Sequence, residues 1–169
     1  MRKLLFKSLF ALPYTERAPE VDERALAELA QNVHAASKRK LGRSLSIRQI
    51  DAGSCNGCEL EIHALSNGFY DLGRFGFHFV ASPRHADVLV VTGPVTANMR
   101  EALERTYAAT PDPKWVVAVG DCAFGGGIFA GGYGVVGGVD AAVPVDLHIR
   151  GCPPSPTDLL AGLLALMKP

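Results

Sequence analysis

The sequence predicts an α/β fold built on a doubly wound parallel sheet. Three observations support this prediction. Short apolar runs rich in β-branched residues recur along the chain, helix-like segments separate them, and 169 residues suffice for one domain with a proper core. Buried strands that alternate with helices are typical of parallel sheets. The apolar runs are residues 44–50, 76–81, 86–93, 114–120 and 144–151.

The segments between these runs carry helical signals. One helix is predicted from about Glu59, a second through residues 98–107 and a third through residues 156–167. Ahead of the sheet, Asp22 is expected to cap a further helix that ends in a basic segment, with Gly42 as its stop. The sequence thus divides into a basic amphipathic extension, residues 1–43, and a site-bearing α/β domain, residues 44–169.

Charge is distributed unevenly between these parts. Residues 1–48 carry ten Lys and Arg against five Asp and Glu, whereas residues 49–169 carry seven against twelve. A basic amphipathic end predicts either docking to a partner or to an anionic membrane face, or a solvated helix. No run approaches the roughly 18 apolar residues of a membrane span, and residues 1–12 lack a signal-peptide cleavage pattern. We expect a cytoplasmic chain, in which cysteines act as ligands or reactive thiols rather than disulfides.

All four cysteines follow predicted strands. Cys55 and Cys58 come after the first apolar run, Cys122 two residues after residues 114–120, and Cys152 directly after residues 144–151. In open α/β sheets, ligands bind outside the carboxyl ends of the strands, because the loops there converge on one crevice. The four thiols are therefore expected to meet in space and form a site.

Three kinds of site use such thiols. A redox dithiol needs only the C-x-x-C pair and leaves Cys122 and Cys152 unexplained. A structural Cys₄ zinc site takes four thiolates, but usually as two close pairs in a small module. An iron–sulfur cluster also takes four thiolates. It fits the abundant glycine near the cysteines, because backbone without side chains can approach a cluster closely. Those glycines are Gly53, Gly57, Gly120, Gly125 to Gly127 and Gly151.

Four ordered motifs carry a family resemblance. They are "DAGSCNGCELEI", "ASPRHADVLVVTGPVT", "GDCAFGGGIF" and "VPVDLHIRGCPPSPTDLL". Over roughly residues 44–166 the chain resembles the small subunit of membrane-bound, energy-converting [NiFe] hydrogenases of the formate hydrogenlyase type. It is also similar to the homologous 20 kDa cluster-bearing subunit of respiratory complex I. The C-x-x-C spacing and His85 resemble the hydrogenase branch, whereas complex I subunits typically have adjacent cysteines and a glutamine.

The resemblance implies a flavodoxin-like fold and one [4Fe–4S] cluster held by Cys55, Cys58, Cys122 and Cys152. It also implies that Glu61 lies at the interface with the catalytic subunit and takes part in proton movement, while we interpret Glu59 as structural. The implied partners are a large [NiFe]-hydrogenase-like subunit, a ferredoxin-like iron–sulfur subunit and antiporter-like membrane subunits. The chain would then lie peripherally on the cytoplasmic face of the cell membrane and relay electrons without catalysing a reaction itself.

Several other functions are disfavoured or left as alternatives. The segment 120–138 holds nine of the eighteen glycines but neither a Walker lysine nor a dinucleotide fingerprint, so no nucleotide is expected. The acidic site domain lacks the basic stripe of a nucleic-acid binder. Arg84 and His85 are a turn pair, with His85 interpreted as exposed. Two alternatives remain: a nickel-free, quinone-linked relative with the same cluster, and a structural Cys₄ zinc assembly module.

Overall fold

The computed structural model describes residues 23–75 and 77–167. Five helices and seven strands alternate along this part of the chain. The helices are α1 (Glu23–Leu41), α2 (Gly57–Ala64), α3 (Ala97–Ala109), α4 (Asp121–Gly125) and α5 (Pro156–Met167). The strands are β1 (Ser46–Asp51), β2 (His78–Phe79), β3 (Val88–Thr92), β4 (Val95–Thr96), β5 (Trp115–Val119), β6 (Val135–Gly137) and β7 (Leu147–Ile149).

The main sheet has five parallel strands in the order β2-β1-β3-β5-β7. Renumbered within the sheet alone, this order is the flavodoxin-like one, 2-1-3-4-5. The predicted doubly wound α/β fold is therefore confirmed. Each of the five apolar runs forms one strand of this sheet; β2, β3, β5 and β7 lie within their runs, whereas β1 extends one residue past its run, to Asp51.

Two apolar cores cover the two faces of this sheet. On one face, α2 and α5 contribute Ile62 and Leu160 against alternate residues of the central strands such as Val88. On the other face, Leu103 of α3 packs with the intervening residues, including Leu89. Because successive side chains of a strand point to opposite faces, strands buried on both sides read as continuous apolar runs.

Helix α1 ends where the sequence predicted. Its last residue is Leu41, and Gly42 follows with a φ of +71° while its N–H bonds to the carbonyl of Lys38. A left-handed residue after a helix is most often glycine, since it has no Cβ to clash. The predicted cap, Asp22, and the basic segment 1–12 lie outside the described residues, and the division at residue 43 stays a prediction. Across residues 23–75 and 77–167, no helix has the length and apolar character needed to cross a membrane.

Three short elements were not predicted. The strands β4 and β6 pair antiparallel in a separate two-stranded sheet, and helix α4 begins two residues after the end of β5. None of them has a clear sequence signal: β4 and α4 are too short for periodicity, and β6 lies among glycines, which are depleted in strands.

A buried carboxylate ties the start of β1 to the start of β3. Asp87 is 3% exposed, and its Oδ1 and Oδ2 accept hydrogen bonds from the guanidinium of Arg43 at 2.5 and 3.1 Å. Its Oδ2 also accepts the backbone N–H of Ser46 at 2.9 Å. A bidentate pair with an additional backbone donor satisfies most of the lone pairs of a buried carboxylate.

We predict that Asp87→Asn lowers the free energy of unfolding by about 2 kcal/mol. The substitution removes a charge-assisted pair, and it places the NH₂ group of an amide opposite the N–H donors of Arg43 and Ser46. The measurement is urea unfolding of the chain, followed by the fluorescence of Trp115, the one tryptophan in the sequence. The control is Glu104→Gln in the exposed pair with Arg100, for which we expect a change of roughly 0.5 kcal/mol or less. Equal losses in the two variants would contradict the role assigned to Asp87.

Candidate metal centre

The structure places all four cysteines beyond the carboxyl ends of strands at one edge of the sheet. Cys55 lies in the turn after β1, and Cys58 in the first turn of α2. Cys122 lies in α4, immediately after β5, and Cys152 follows β7 by three residues. All four are free thiols. The strands β1, β5 and β7 are parallel members of one sheet, so their ends face the same crevice.

The turn that carries Cys55 is built by a carboxylate at the end of β1. Asp51 Oδ1 accepts the backbone N–H groups of Gly53 and Ser54, each at 2.7 Å. Such an Asx arrangement closes a turn without a further backbone bond. The turn then passes through Asn56, whose φ of +72° lies in the left-handed region, and α2 begins at Gly57. Asparagine tolerates this conformation better than most residues. The two-residue spacer of the C-x-x-C pair is thus a defined turn.

The other two cysteine loops are joined through their backbones. The N–H of Gly120 bonds to the carbonyl of Ile149 at 2.8 Å, and the N–H of Asp121 to the carbonyl of Gly151 at 2.9 Å. These bonds continue the β5–β7 ladder past the ends of both strands. They carry the pairing to the residue before each cysteine, so Cys122 and Cys152 leave the ladder side by side.

Burial and neighbouring charged groups raise the pKa values of the two half-buried thiols. Burial raises the pKa of Cys58 to about 12, with further increases from Glu59 and from Cys55, Cys122 and Cys152. Burial also raises the pKa of Cys122, as do Cys152 and Cys55, while a hydrogen bond from the backbone N–H of Ile128 lowers it. Four thiolates in such proximity repel one another, and a bound cationic centre removes this penalty.

Two glycines leave space for the sulfurs. A Cβ on Gly120 would lie 2.6 Å from Cys58 Sγ, and one on Gly127 would lie 2.8 Å from Cys122 Sγ. Both glycines have positive φ, +90° and +54°. The expectation that glycine backbone approaches the site is met at these two positions. Elsewhere, Gly53 packs against Thr96 and Gly151 against Pro154, so those glycines serve the protein's own packing.

The site is open on one side. Cys58 and Cys122 are half-buried, whereas Cys55 and Cys152 are exposed. Within the described part of the chain, no three histidine, cysteine, aspartate or glutamate side chains lie close enough together to hold a single metal ion.

The two acidic residues of α2 differ in environment. Glu59 is only 6% exposed, and its Oε1 accepts the hydroxyl of Ser54 at 2.6 Å, while its Oε2 is buried without a partner among the described residues. Glu61 lies two residues further along the helix and is half-buried. The structural interpretation of Glu59 fits its bond to the Cys55 turn, and the role predicted for Glu61 stays a prediction.

The remaining sequence candidates do not join the four thiols. Arg84 and His85 lie exposed in a single helical turn, Pro83–His85, which Ser82 caps through its hydroxyl. The glycine-rich segment does return to the site, through the bond from Ile128 to Cys122. As expected, large apolar side chains of that segment are exposed to solvent; they are Phe124, Ile128, Phe129 and Tyr133.

Sequence reasoning missed an ion pair beside the thiols. Arg150 Nε donates to Asp121 Oδ1 at 2.5 Å, and Asp121 directly precedes Cys122. The pairing with Arg150 and a backbone bond from Gly151 hold the pKa of Asp121 below its usual range. The sequence did contain a signal for this pair. Asp121 lies one residue before Cys122, and Arg150 lies two residues before Cys152.

Comparison with known proteins identifies the family. The profile described as "NADH ubiquinone oxidoreductase, 20 Kd subunit" matches residues 55–166, which include all four cysteines. The chain belongs to this family. The membership confirms the resemblance carried by the four motifs, including its link to respiratory complex I.

Curated relatives carry hydrogenase names. Over 135 residues the chain is 45% identical to formate hydrogenlyase subunit 7 of Escherichia coli, a match that covers 80% of this chain and 53% of that protein. It is 46% identical over 129 residues to a "probable membrane-bound hydrogenase subunit" of Pyrococcus furiosus, covering 76% and 77%. An uncharacterized protein of Methanocaldococcus jannaschii is 49% identical over 122 residues, covering 72% and 82%. The chain thus spans about half the length of the Escherichia coli protein.

Solved structures share the fold. A chain of the membrane-bound sulfane sulfur reductase, an archaeal respiratory membrane complex, aligns with a TM-score of 0.66 and 36% identity, over 81% of this chain and 73% of that one. A chain of an NAD⁺-reducing [NiFe]-hydrogenase in the H₂-reduced state aligns with a TM-score of 0.54 over 71% and 93%. At 23% identity, the second likeness supports the fold alone.

We predict that Gly120→Ala abolishes iron binding at the four thiols, because its Cβ would lie 2.6 Å from Cys58 Sγ. The control is Gly131→Ala. Gly131 also has a positive φ, +77°, but a Cβ there meets no atom within 4 Å. Substitution of Gly120 also carries backbone strain of roughly 1–3 kcal/mol, because its φ of 90° and ψ of 161° lie in a region that is essentially restricted to glycine. Iron per chain, measured after anaerobic purification, distinguishes them: equal iron in the two variants would show that close approach to the sulfur is unimportant.

Proposed function

We propose that this chain is the electron-transfer subunit of a membrane-bound, hydrogenase-related oxidoreductase and that it holds one [4Fe–4S] cluster. The observation that carries the proposal is the position of Cys55, Cys58, Cys122 and Cys152 beyond the carboxyl ends of β1, β5 and β7, at one edge of the sheet. Hydrogenase and complex I names among the relatives supply the reaction class.

The residues present fit a cluster better than a zinc ion. Zinc binds thiolates at about 2.3 Å in a tetrahedron, which brings the four sulfurs close together. Across residues 23–75 and 77–167, no group of three or more histidine, cysteine, aspartate or glutamate side chains is arranged to hold a single metal ion. A cubane of four irons separates its four thiolates further, and the space kept open by Gly120 and Gly127 suits it. When bound, such a cluster would accept and release one electron at a time.

The chain's own residues would bind the cluster and adjust its surroundings. Each thiolate would ligate one iron, and the Ile128 N–H, already directed at Cys122, would stabilise negative charge on that sulfur. Half-buried Cys58 and Cys122 would limit water on the inner side. Exposed Cys55 and Cys152 leave the outer side to a partner, which suits a relay that must exchange electrons across an interface.

The proposed partners are a large [NiFe]-hydrogenase-like subunit, a ferredoxin-like iron–sulfur subunit and antiporter-like membrane subunits. The relatives' names support membrane-bound assemblies of this kind. The chain would lie at the cytoplasmic face of the membrane through these subunits. Its uncharged, exposed apolar segment around Ile128 offers one surface that such a partner would cover.

A second candidate keeps the cluster but changes the reaction. One of the aligned chains belongs to a sulfane sulfur reductase, so a chain of this fold with 36% identity is part of a complex not named as a hydrogenase. A nickel-free or quinone-linked complex would use the same four thiols. The difference would lie in the large subunit, whose metal content separates the candidates.

The test of function is metal analysis of the complex, purified without oxygen through a tag on this chain. We expect about one nickel per copy, with iron and acid-labile sulfide exceeding the four of each that one [4Fe–4S] cluster contributes. Cys122→Ser is expected to lower both by about four per chain, because the cubane loses one of its thiolate ligands.

The control is Ser66→Ala, an exposed position two residues beyond the end of α2, which leaves the thiols unchanged. Iron without nickel would support the nickel-free candidate. One zinc per chain, with iron and sulfide unchanged by Cys122→Ser, would overturn the cluster and establish the zinc assembly module.

For Glu61 we propose proton transfer at the interface with the large subunit. Glu61→Gln is expected to lower turnover of the complex at least tenfold, because an amide cannot carry the proton, while iron and sulfide per chain stay unchanged. The matched control is Glu104→Gln, an exposed carboxylate on α3, which we expect to leave turnover unaffected. Unchanged turnover in Glu61→Gln would remove the residue from the mechanism.

A further inference from the structure

A charge pair bridges the two loops that each carry a single cysteine. Asp121 opens the first turn of α4, one residue before Cys122, and Arg150 directly follows β7, two residues before Cys152. Arg150 Nε donates to Asp121 Oδ1 at 2.5 Å, and the same oxygen lies 3.3 Å from the N–H of Gly151. The side-chain pair therefore links the same two loops as the backbone hydrogen bond from Asp121 to Gly151.

An aromatic ring fixes the orientation of Arg150. The guanidinium carbon lies 4.1 Å from the ring centroid of Phe124, two residues after Cys122. His148, on the same face of β7, meets that ring edge-on with centroids 5.0 Å apart. A planar guanidinium stacks on an aromatic face and keeps its charge in a defined place, which a lysine ammonium does less well. Arg150 is thus held by both a carboxylate and a ring of the neighbouring loop.

We propose that Asp121 and Arg150 are the positioning pair of the metal centre: they hold the Cys122 and Cys152 loops together and place one cation and one anion beside the cluster. This inference rests on the proposed function, since it concerns the cluster that the four thiols would hold. Neither residue ligates iron, and each acts through the loop and the charge it contributes.

The two charges have opposite consequences. Reduction adds negative charge to a cluster that already carries four thiolates, so a nearby cation favours the reduced form and a nearby carboxylate opposes it. Removing the charge of Arg150 should therefore lower the midpoint potential, and removing that of Asp121 should raise it. A purely structural pair would instead loosen the same two loops in either variant and move the potential in one direction. The sign of the shift separates the two roles.

The experiment uses the tagged complex, purified without oxygen, with the variants Arg150→Gln, Arg150→Lys, Asp121→Asn and the double variant Asp121→Asn with Arg150→Gln. Redox titration followed by electron paramagnetic resonance gives the potential of the signal that disappears in Cys122→Ser, which assigns the signal to this chain. Iron and acid-labile sulfide give occupancy. The control is Arg100→Gln in an exposed pair on α3.

We expect a lower potential in Arg150→Gln, a higher one in Asp121→Asn, and values near wild type in Arg150→Lys, the double variant and Arg100→Gln. Occupancy should fall in both single neutral variants, and the double variant should lose no more than the worse of them, because one interaction is removed in each case. If Arg150→Gln loses the cluster altogether, Asp121→Asn still gives the sign of the carboxylate's effect, and Arg150→Lys, which keeps the cation, is still expected near wild type.

Shifts of the same sign, or unchanged potentials at full occupancy, would overturn the inference while leaving the proposed function intact. A wild-type chain without iron and labile sulfide would instead overturn the proposed function, and this inference with it.

Discussion

Parallel pairing of β1, β3, β5 and β7 is the constraint on which the rest of this structure depends. Parallel strands end at a common edge, so turns that are distant in sequence emerge beside one another. The backbone bonds from Gly120 to Ile149 and from Asp121 to Gly151 extend this alignment to the cysteines themselves. Without the sheet, the 63 residues between Cys58 and Cys122 and the 29 between Cys122 and Cys152 would separate the thiols in space.

The cost of bringing four thiols together explains the character of the surrounding residues. Burial and mutual repulsion raise the pKa values of Cys58 and Cys122, which favours the neutral thiols. In the proposed cluster, iron would reverse this preference, because a bound cation favours the thiolate. The protein adds compensation of its own through the Ile128 N–H and through glycines that leave room for sulfur. The same groups that lower the cost of bringing the thiols together would also determine how readily a cluster accepts an electron.

Packing connects this edge to the rest of the fold. The Cys55 turn is held by Asp51, and Glu59 anchors it from the interior through Ser54. Helix α2 in turn buries Ile62 and Leu65 against the sheet, so the helix that carries Cys58 cannot shift without disturbing the core. The proposed relay would benefit from such rigidity, because small structural change on electron transfer keeps the reorganisation low. The exposed thiols and the apolar Ile128 segment lie on the open side, where the proposed partner subunits would bind.

The sequence by itself determined the parallel α/β class, the five strands of the main sheet and the convergence of the four cysteines. These follow from periodicity and from the rule that loops meet at the carboxyl edge, which are local signals joined by one topological principle. Tertiary structure alone decided three features: the burial of Glu59 rather than Glu61, the approach of Gly120 to Cys58, and the pairing of Asp121 with Arg150. Each depends on distances between residues far apart in the chain. Neighbours on adjacent strands are set by register and side-chain direction, which no pattern within one segment encodes.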